Sequence, residues 1–191
     1  IGAIMKNGKF VNLYNPDDMK KDFLSSLGYG AIMGILKHYE VINPFVSSTN
    51  DALNRLKPGF EAPVCIVTAL GGETPDVQTR NRSVLIGLIR NTKKPAATRF
   101  ELRAPNAFTN TYIAISLVYM AALDGIRYAL SSGKTPAALC AELSKKPGEA
   151  ADYLEKDRAY RSEVDVFEAF TAEERDAMFG KAPKTVWENF K

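Results

Sequence analysis

The stretch RFELRAPNAFTNTYIA, residues 99–114, joins a strand pattern to the start of a helix. In an extended chain alternate side chains point to opposite faces, so Arg99, Glu101 and Arg103 share one face, opposite Phe100 and Leu102. A solvated strand face is the ordinary interpretation of such charges. A carboxylate between two guanidiniums also suits a divalent cation whose other neighbours are phosphate and carboxylate oxygens. The stretch alone leaves both interpretations open.

A long apolar helix is predicted directly after this strand. Its cap is Asn110 or Thr109, and Gly133 ends it. Apolar residues occur nearly all round the segment, which predicts a buried helix. A membrane span is not expected, because the uncharged run from Tyr112 to Leu123 is shorter than the ~20 residues that a bilayer requires.

The composition predicts one globular domain with a real core, since the chain has 191 residues of which 46% are hydrophobic. Cys65 and Cys140 form no metal-binding or disulfide pattern, which favours a reducing cytoplasm. Two alternating runs flank Asn7-Gly8, the strongest short hairpin signal. Because the chain starts at Ile1 within such a run, we expect it to be a piece of a longer protein.

Helices are predicted between this hairpin and the central strand. Asn15 is expected to cap a first helix, which restarts at Ser25 or Ser26 and runs to the next proline. Gly30 and Gly34 lie four residues apart on one face of it, a spacing that lets another backbone approach closely. The segment is therefore predicted to be a tightly packed core helix.

Positive charge is concentrated in residues 80–103, although the net charge of the chain is only +3. This segment holds a single acid, Glu101, beside seven basic residues: Arg80, Arg82, Arg90, Lys93, Lys94, Arg99 and Arg103. Such a concentration predicts an anionic partner. Nucleic acid is disfavoured, because the only aromatic residue here, Phe100, lies on the strand face opposite the charges.

Two other patterns are given structural rather than catalytic interpretations. GKT at 133–135 lacks the earlier glycine and the preceding strand of a phosphate-binding loop, so Gly133 is predicted to be a helix stop. His38 is the only histidine, which excludes a triad or a two-histidine metal site built from this chain alone. Asp124 and Arg127 are interpreted as an intrahelical pair.

Several motifs, in order, resemble the glutamine synthetase family. They span almost the whole chain: LKH (36–38), NRLKPGFEAP (54–63), NRS (81–83), RFELRAPNAFTNTYIA (99–114), LDGI (123–126) and TVWE (185–188). Together with the element pattern, the resemblance implies an α+β fold: a partial, largely antiparallel curved sheet backed by helices, with a helical carboxy-terminal half. Residues 1–191 would form the carboxy-terminal portion of one catalytic domain, strand-rich over 1–108 and mainly helical over 109–191.

The activity that this resemblance implies is ATP-dependent ligation of ammonia to glutamate. ATP phosphorylates the side-chain carboxylate with magnesium or manganese in place, and ammonia attacks the γ-glutamyl phosphate. The resemblance also implies a homo-oligomer of stacked rings in the full-length protein, with small-molecule substrates. The residues themselves predict a cytoplasmic protein with no nucleic-acid or membrane partner.

On the metal and glutamate side, the resemblance assigns five residues by their place in the motifs. Glu101 resembles a ligand of the metal that bridges the phosphates, while Arg55 and Arg103 resemble the arginines that bind the glutamate carboxylate. Arg82 resembles the arginine that meets the phosphoryl group in transfer. Glu61 resembles the flap carboxylate that closes the site and deprotonates ammonium.

On the ATP side, Arg99 resembles a nucleotide-binding arginine. The family's further arginine is replaced by Gly87, and Arg90 is expected to substitute for it. A nucleotide-side lysine is replaced by Ala96, with Lys94 nearby. These departures concern the ATP side more than the glutamate side.

Other metal ligands of the family do not occur in these 191 residues, so the isolated chain is expected to be inactive. Two alternatives stay open. One is a γ-glutamyl ligase that uses another amine, which the same acyl phosphate chemistry permits. The other is a non-catalytic structural or interaction relative, against which the presence of both Glu61 and Glu101 argues.

Overall fold

The computed structural model describes residues 3–48, 85–90, 92–145 and 148–155, together with positions 171, 173 and 177. These residues contain β1 (Ala3–Lys6), β2 (Lys9–Asn12), α1 (Ser26–Lys37), α2 (Tyr39–Val46), β3 (Ile86–Ile89), a 3-10 turn (Pro95–Ala97), β4 (Arg99–Leu102), α3 (Thr111–Ser132) and α4 (Pro136–Leu143). The strands form two antiparallel pairs, β1 with β2 and β3 with β4. The mixture of antiparallel strands and helices confirms the predicted α+β class.

The first strand pair is the predicted hairpin. Asn7 and Gly8 connect its strands, and both have positive φ angles, 50° and 74°. Such angles fit the two-residue turns whose twist matches that of the strands. The register places Asn12 opposite Ala3, at the open end of the hairpin.

The predicted helix start at Asn15 is wrong, because the loop that joins β2 to α1, here the β2–α1 loop, contains turns and bends but no helix. The Asn15 side chain does not cap a helix; its Nδ2 donates to the carbonyl oxygen of Pro95 at 3.0 Å. The helix begins instead at Ser26, the second of the predicted restart positions. Ser25 caps it by accepting a hydrogen bond from the N–H of Gly28 at 3.1 Å.

Helix α1 forms the centre of the core, as predicted. Every residue from 28 to 36 is buried. Gly30 and Gly34 face Gly125 of α3 so closely that a methyl group on any of the three would overlap backbone atoms of the other helix. The glycine spacing therefore permits a backbone-to-backbone contact between α1 and α3.

Helix α3 has both predicted ends. The Asn110 side chain accepts hydrogen bonds from the N–H groups of Tyr112 and Ile113 at 3.1 and 3.2 Å. Gly133 ends the helix in the left-handed conformation, with φ of 62°, which confirms that the GKT segment begins with a helix stop.

The prediction that α3 is buried on all sides is wrong for the described residues. One face packs on α1, but Met120, Leu123 and Leu130 are exposed. By length and composition alone α3 could cross a membrane, a test that core helices of soluble proteins also pass. The nearly uniform apolar pattern did not reveal which face packs against α1, since only the position of α1 decides that.

Candidate active site

The charged residues of β4 lie on its exposed face. Arg99 and Glu101 are exposed, while Phe100 and Leu102 between and after them are half-buried against the core. The Nη2 atom of Arg99 lies 2.9 Å from Oε1 of Glu101, and both side chains are about half exposed, at 56% and 48%. The alternation predicted from the sequence is confirmed, and its two exposed charges form an ion pair.

Arg103 follows the end of β4 and is half-buried. Its backbone N–H donates to the carbonyl oxygen of Leu85 at 2.9 Å, which continues the pairing of the two strands. Directly opposite Glu101 stands Gly87. The Cδ atom of Arg103 lies 3.7 Å from the point where a Cβ on Gly87 would be. The Arg103 side chain therefore passes close to Gly87, the residue that pairs with Glu101 across the two strands.

Arg90 lies elsewhere, immediately after β3, and only 5% of its surface is exposed. Its Nη1 donates to the carbonyl oxygen of Asp22 at 2.6 Å, and its Nη2 donates to that of Met19. The guanidinium carbon is 5.9 Å from the centre of the Phe23 ring. Arg90 thus binds the β2–α1 loop, and its expected contact with ATP stays a prediction.

Three other predicted site residues, Arg55, Glu61 and Arg82, lie outside the described residues. Their roles stay predictions.

The described residues do not form a complete metal site. They contain no group of three histidine, cysteine, aspartate or glutamate side chains that could hold an ion. Magnesium and calcium require about six oxygen ligands. Glu101 by itself therefore does not make a metal site, and its role as a metal ligand stays a prediction.

A cavity of about 480 Å³ lies on the other side of β4, between the strand and α3. Its lining includes Phe100, Leu102 and Val118, together with Arg99. Phosphate groups require positive charge and N–H donors. The lining also includes neutral polar side chains, such as Asn106, and Arg99 is the only cation among the described lining residues.

A polar cluster that the sequence did not reveal joins three distant segments. Nε2 of His38 is 2.8 Å from Oδ2 of Asp124, and the hydroxyl of Tyr153 donates to the same oxygen at 2.6 Å. Hydrogen bonds from His38 and then Tyr153 hold the pKa of Asp124 below its usual range. Asp124 is thus paired with His38 and Tyr153, and the predicted pairing with Arg127 is wrong. His38 ends α1, so its partners depend on how the helices pack.

Comparison with known proteins gives a family match over residues 3–176, to the model described as "Glutamine synthetase, catalytic domain". The glutamine synthetase of Bradyrhizobium diazoefficiens is 32% identical over 178 residues, which cover 87% of this chain and 35% of that enzyme. The enzyme of Aquifex aeolicus is 36% identical over 132 residues, or 69% of this chain and 25% of that enzyme. The chain therefore spans about a quarter to a third of the length of these relatives.

A solved structure is similar as well. The cryo-EM structure of Plasmodium falciparum glutamine synthetase matches with a TM-score of 0.53 and 22% sequence identity, over 95% of this chain and 34% of that one. At that identity the likeness concerns the fold.

Proposed function

Because the chain belongs to the glutamine synthetase family, as part of the catalytic domain, we propose that it forms part of the active site of an ATP-dependent glutamate–ammonia ligase. The observation that carries the proposal is the exposed face of β4, where Arg99 and Glu101 lie together, with Arg103 close to the position opposite the carboxylate. Phosphoryl transfer requires mainly positioning and charge stabilisation from a protein, which such a cluster supplies.

The ion pair between Arg99 and Glu101 is suited to exchange partners when substrates bind. Both side chains are about half exposed, and exposed pairs of this kind contribute only about 0–1 kcal/mol to stability. Replacing the carboxylate by a phosphate oxygen at Arg99 is therefore energetically easy. In the same step Glu101 becomes available as a ligand for magnesium or manganese, which when bound would neutralise charge on the phosphates.

The remaining roles follow from the motifs. Arg103 and Arg55 bind the carboxylate of glutamate, and Arg82 stabilises the phosphoryl group as it passes from ATP to the side chain. Glu61, on a segment rich in proline and glycine, removes a proton from ammonium and shields the γ-glutamyl phosphate from water. Ammonia then attacks the γ-glutamyl phosphate and displaces phosphate, and the product is glutamine.

The whole protein is proposed to be a cytoplasmic homo-oligomer. The 191-residue chain by itself is proposed to be inactive, because the other metal ligands that the resemblance implies do not occur in its sequence and a divalent cation requires several ligands.

The test is an assay of ATP-dependent γ-glutamyl transfer by the protein in which this chain naturally occurs. Phosphate release and product formation are measured with glutamate and ammonia, and separately with glutamate and a primary amine. We expect turnover with ammonia and at least about a 100-fold loss in Glu101→Gln, since a metal ligand contributes several kcal/mol to the transition state.

Glu155→Gln is the matched control, because it makes the same change at an exposed glutamate far along the chain from β4. If product forms with the primary amine but not with ammonia, the acceptor is an amine and the proposal of ammonia is wrong. Unchanged activity in Glu101→Gln would remove the metal role, and absence of any ATP-dependent ligation would favour the non-catalytic alternative.

A further inference from the structure

The connection between β3 and β4 is held at both ends by the β2–α1 loop and the adjoining end of β2. This connection carries Lys93 and Lys94 and leads directly into Arg99. The two regions are about 80 residues apart in the sequence. Among the described residues, the side chains of Arg90, Asn12 and Asn15 join them, and in each case a side-chain N–H donates to a backbone carbonyl. The contacts therefore fix the path of the backbone.

At the β3 end the contact is made by Arg90. Its guanidinium donates to the carbonyl oxygens of Asp22 and Met19, as described above, and its surface is almost completely buried. Burying a guanidinium is unfavourable unless its N–H groups have acceptors. Because these two acceptors are backbone atoms of one loop, the buried guanidinium holds that loop against the end of β3.

At the β4 end the contacts are made by Asn12 and Asn15. Nδ2 of Asn12 donates to the carbonyl oxygen of Thr98 at 2.6 Å, while its Oδ1 accepts from the N–H of Tyr14 at 3.0 Å. Nδ2 of Asn15 donates to the carbonyl oxygen of Pro95 at 3.0 Å. The Asn12 side chain therefore uses both of its amide groups. Its oxygen binds the start of the β2–α1 loop, and its nitrogen binds the residue before Arg99.

We propose that Arg90 and Asn12 are positioning residues that hold the β3–β4 connection, and with it Arg99 and Glu101, in the orientation that receives the phosphates of a nucleotide. This inference rests on the proposed function for the identity of the ligand. It assigns Arg90 to backbone carbonyls of the β2–α1 loop in place of direct contact with ATP. Asn12 touches only neutral backbone groups in these contacts, so its effect on nucleotide binding can arise only through position.

The first measurement is amide hydrogen exchange in the protein in which this chain naturally occurs. The N–H groups of Ala97 and Thr98 are hydrogen-bonded within the connection, to Lys94 and Pro95. We expect Arg90→Met and Asn12→Ala each to speed exchange at these two amides by about tenfold or more, with α1 and α3 unchanged. Arg127→Met, the same change at an exposed arginine of α3, is expected to leave them at the wild-type rate.

Arg90→Lys is included in case Arg90→Met does not fold, because lysine retains the charge and a donor. Exchange at Ala97 and Thr98 is expected to lie between wild type and Asn12→Ala in this variant. Unchanged exchange in both Arg90→Lys and Asn12→Ala would overturn the proposal. An equal increase throughout α1 and α3 would also overturn it, since that is the signature of a general loss of stability.

The second measurement is steady-state kinetics in the protein in which the chain naturally occurs. Asn12→Ala is expected to raise the KM for ATP about tenfold and to change the KM for glutamate less than threefold. If local exchange is faster in Asn12→Ala but the KM for ATP is unchanged, the proposal that the connection is positioned for nucleotide binding is wrong. If the wild type has no ATP-dependent activity, the proposed function fails, whereas the exchange result still decides whether the two residues hold the connection.

Discussion

Gly34→Ala is expected to lower the free energy of unfolding by about 3 kcal/mol or more, since overpacking a rigid contact costs about 1–3 kcal/mol and sometimes more. A Cβ at this position would overlap the carbonyl oxygen of Ala121 and approach the backbone nitrogen of Gly125. Both obstacles are backbone atoms of a regular helix, which cannot rotate away as a side chain can. The two helices would have to separate.

Separation of the helices is costly because α1 is buried from residue 28 to residue 36. Moving it away from α3 disturbs the packing on the other sides of the helix as well. The reciprocal change, Gly125→Ala, would meet the carbonyl oxygen of Gly30 and the backbone of Gly34. We expect a similar loss in the free energy of unfolding for this variant. The double variant should lose less than the sum of the two single variants, because both methyl groups disrupt the same contact.

Gly87→Ala is the matched control. A methyl group at Gly87 would have only the Cδ atom of Arg103 nearby, at an ordinary 3.7 Å. Glycine within a strand is unfavourable by about 0.5–1 kcal/mol relative to alanine, so this variant should be neutral or slightly more stable. Urea unfolding followed by circular dichroism measures all three. Wild-type stability in Gly34→Ala would contradict the close approach of the two helices.

Lys134→Met is expected to cost about 3 kcal/mol, within the range measured when one member of a buried ion pair is removed. The Nζ atom of Lys134 is 2.7 Å from Oε2 of Glu142, whose side chain is only 4% exposed. It also donates to the hydroxyl of Tyr128 at 2.9 Å and to the carboxylate of Asp152. Without the ammonium, the carboxylate of Glu142 would stay buried without its cation.

The same cluster makes stability depend on pH. Burial by itself would raise the pKa of Glu142, but hydrogen bonds from Lys134, Tyr128 and the N–H of Tyr153 outweigh burial and lower it below the ordinary 4.5. A carboxyl group whose pKa is lower in the folded state stabilises the fold above its unfolded pKa. The stabilisation is lost as the pH falls below about 4.5. Asp124 acts in the same direction, because His38 and Tyr153 lower its pKa.

Urea midpoints between pH 7 and pH 3 test this prediction. The wild type should lose stability below about pH 4.5, while Lys134→Met should be less stable at pH 7 and lose less on acidification. Lys134→Met combined with Glu142→Gln is the control, because it also removes the buried negative charge that Lys134 contacts and should recover part of the loss. A Lys134→Met curve parallel to that of the wild type would contradict the pairing.

The sequence determined the features that depend on neighbouring residues. Asn7-Gly8 adopts the backbone angles of a hairpin turn because these residues tolerate positive φ. Alternation places Arg99 and Glu101 on one face of β4 by strand geometry alone. Asn110 and Gly133 cap α3 with groups within three residues of the helix ends.

Only the tertiary structure decided which distant groups become partners. Asn15 resembles a helix cap, yet its amide binds Pro95, 80 residues away, so the predicted helix does not form there. Arg90 belongs to a basic segment typical of anion binding, but its guanidinium binds carbonyl groups of the β2–α1 loop. A side chain's period and charge are local properties, whereas its acceptor is set by which backbone groups the fold leaves within about 3 Å. Charge on β4 was therefore predictable from the sequence, and the side chains that hold β4 in place were not.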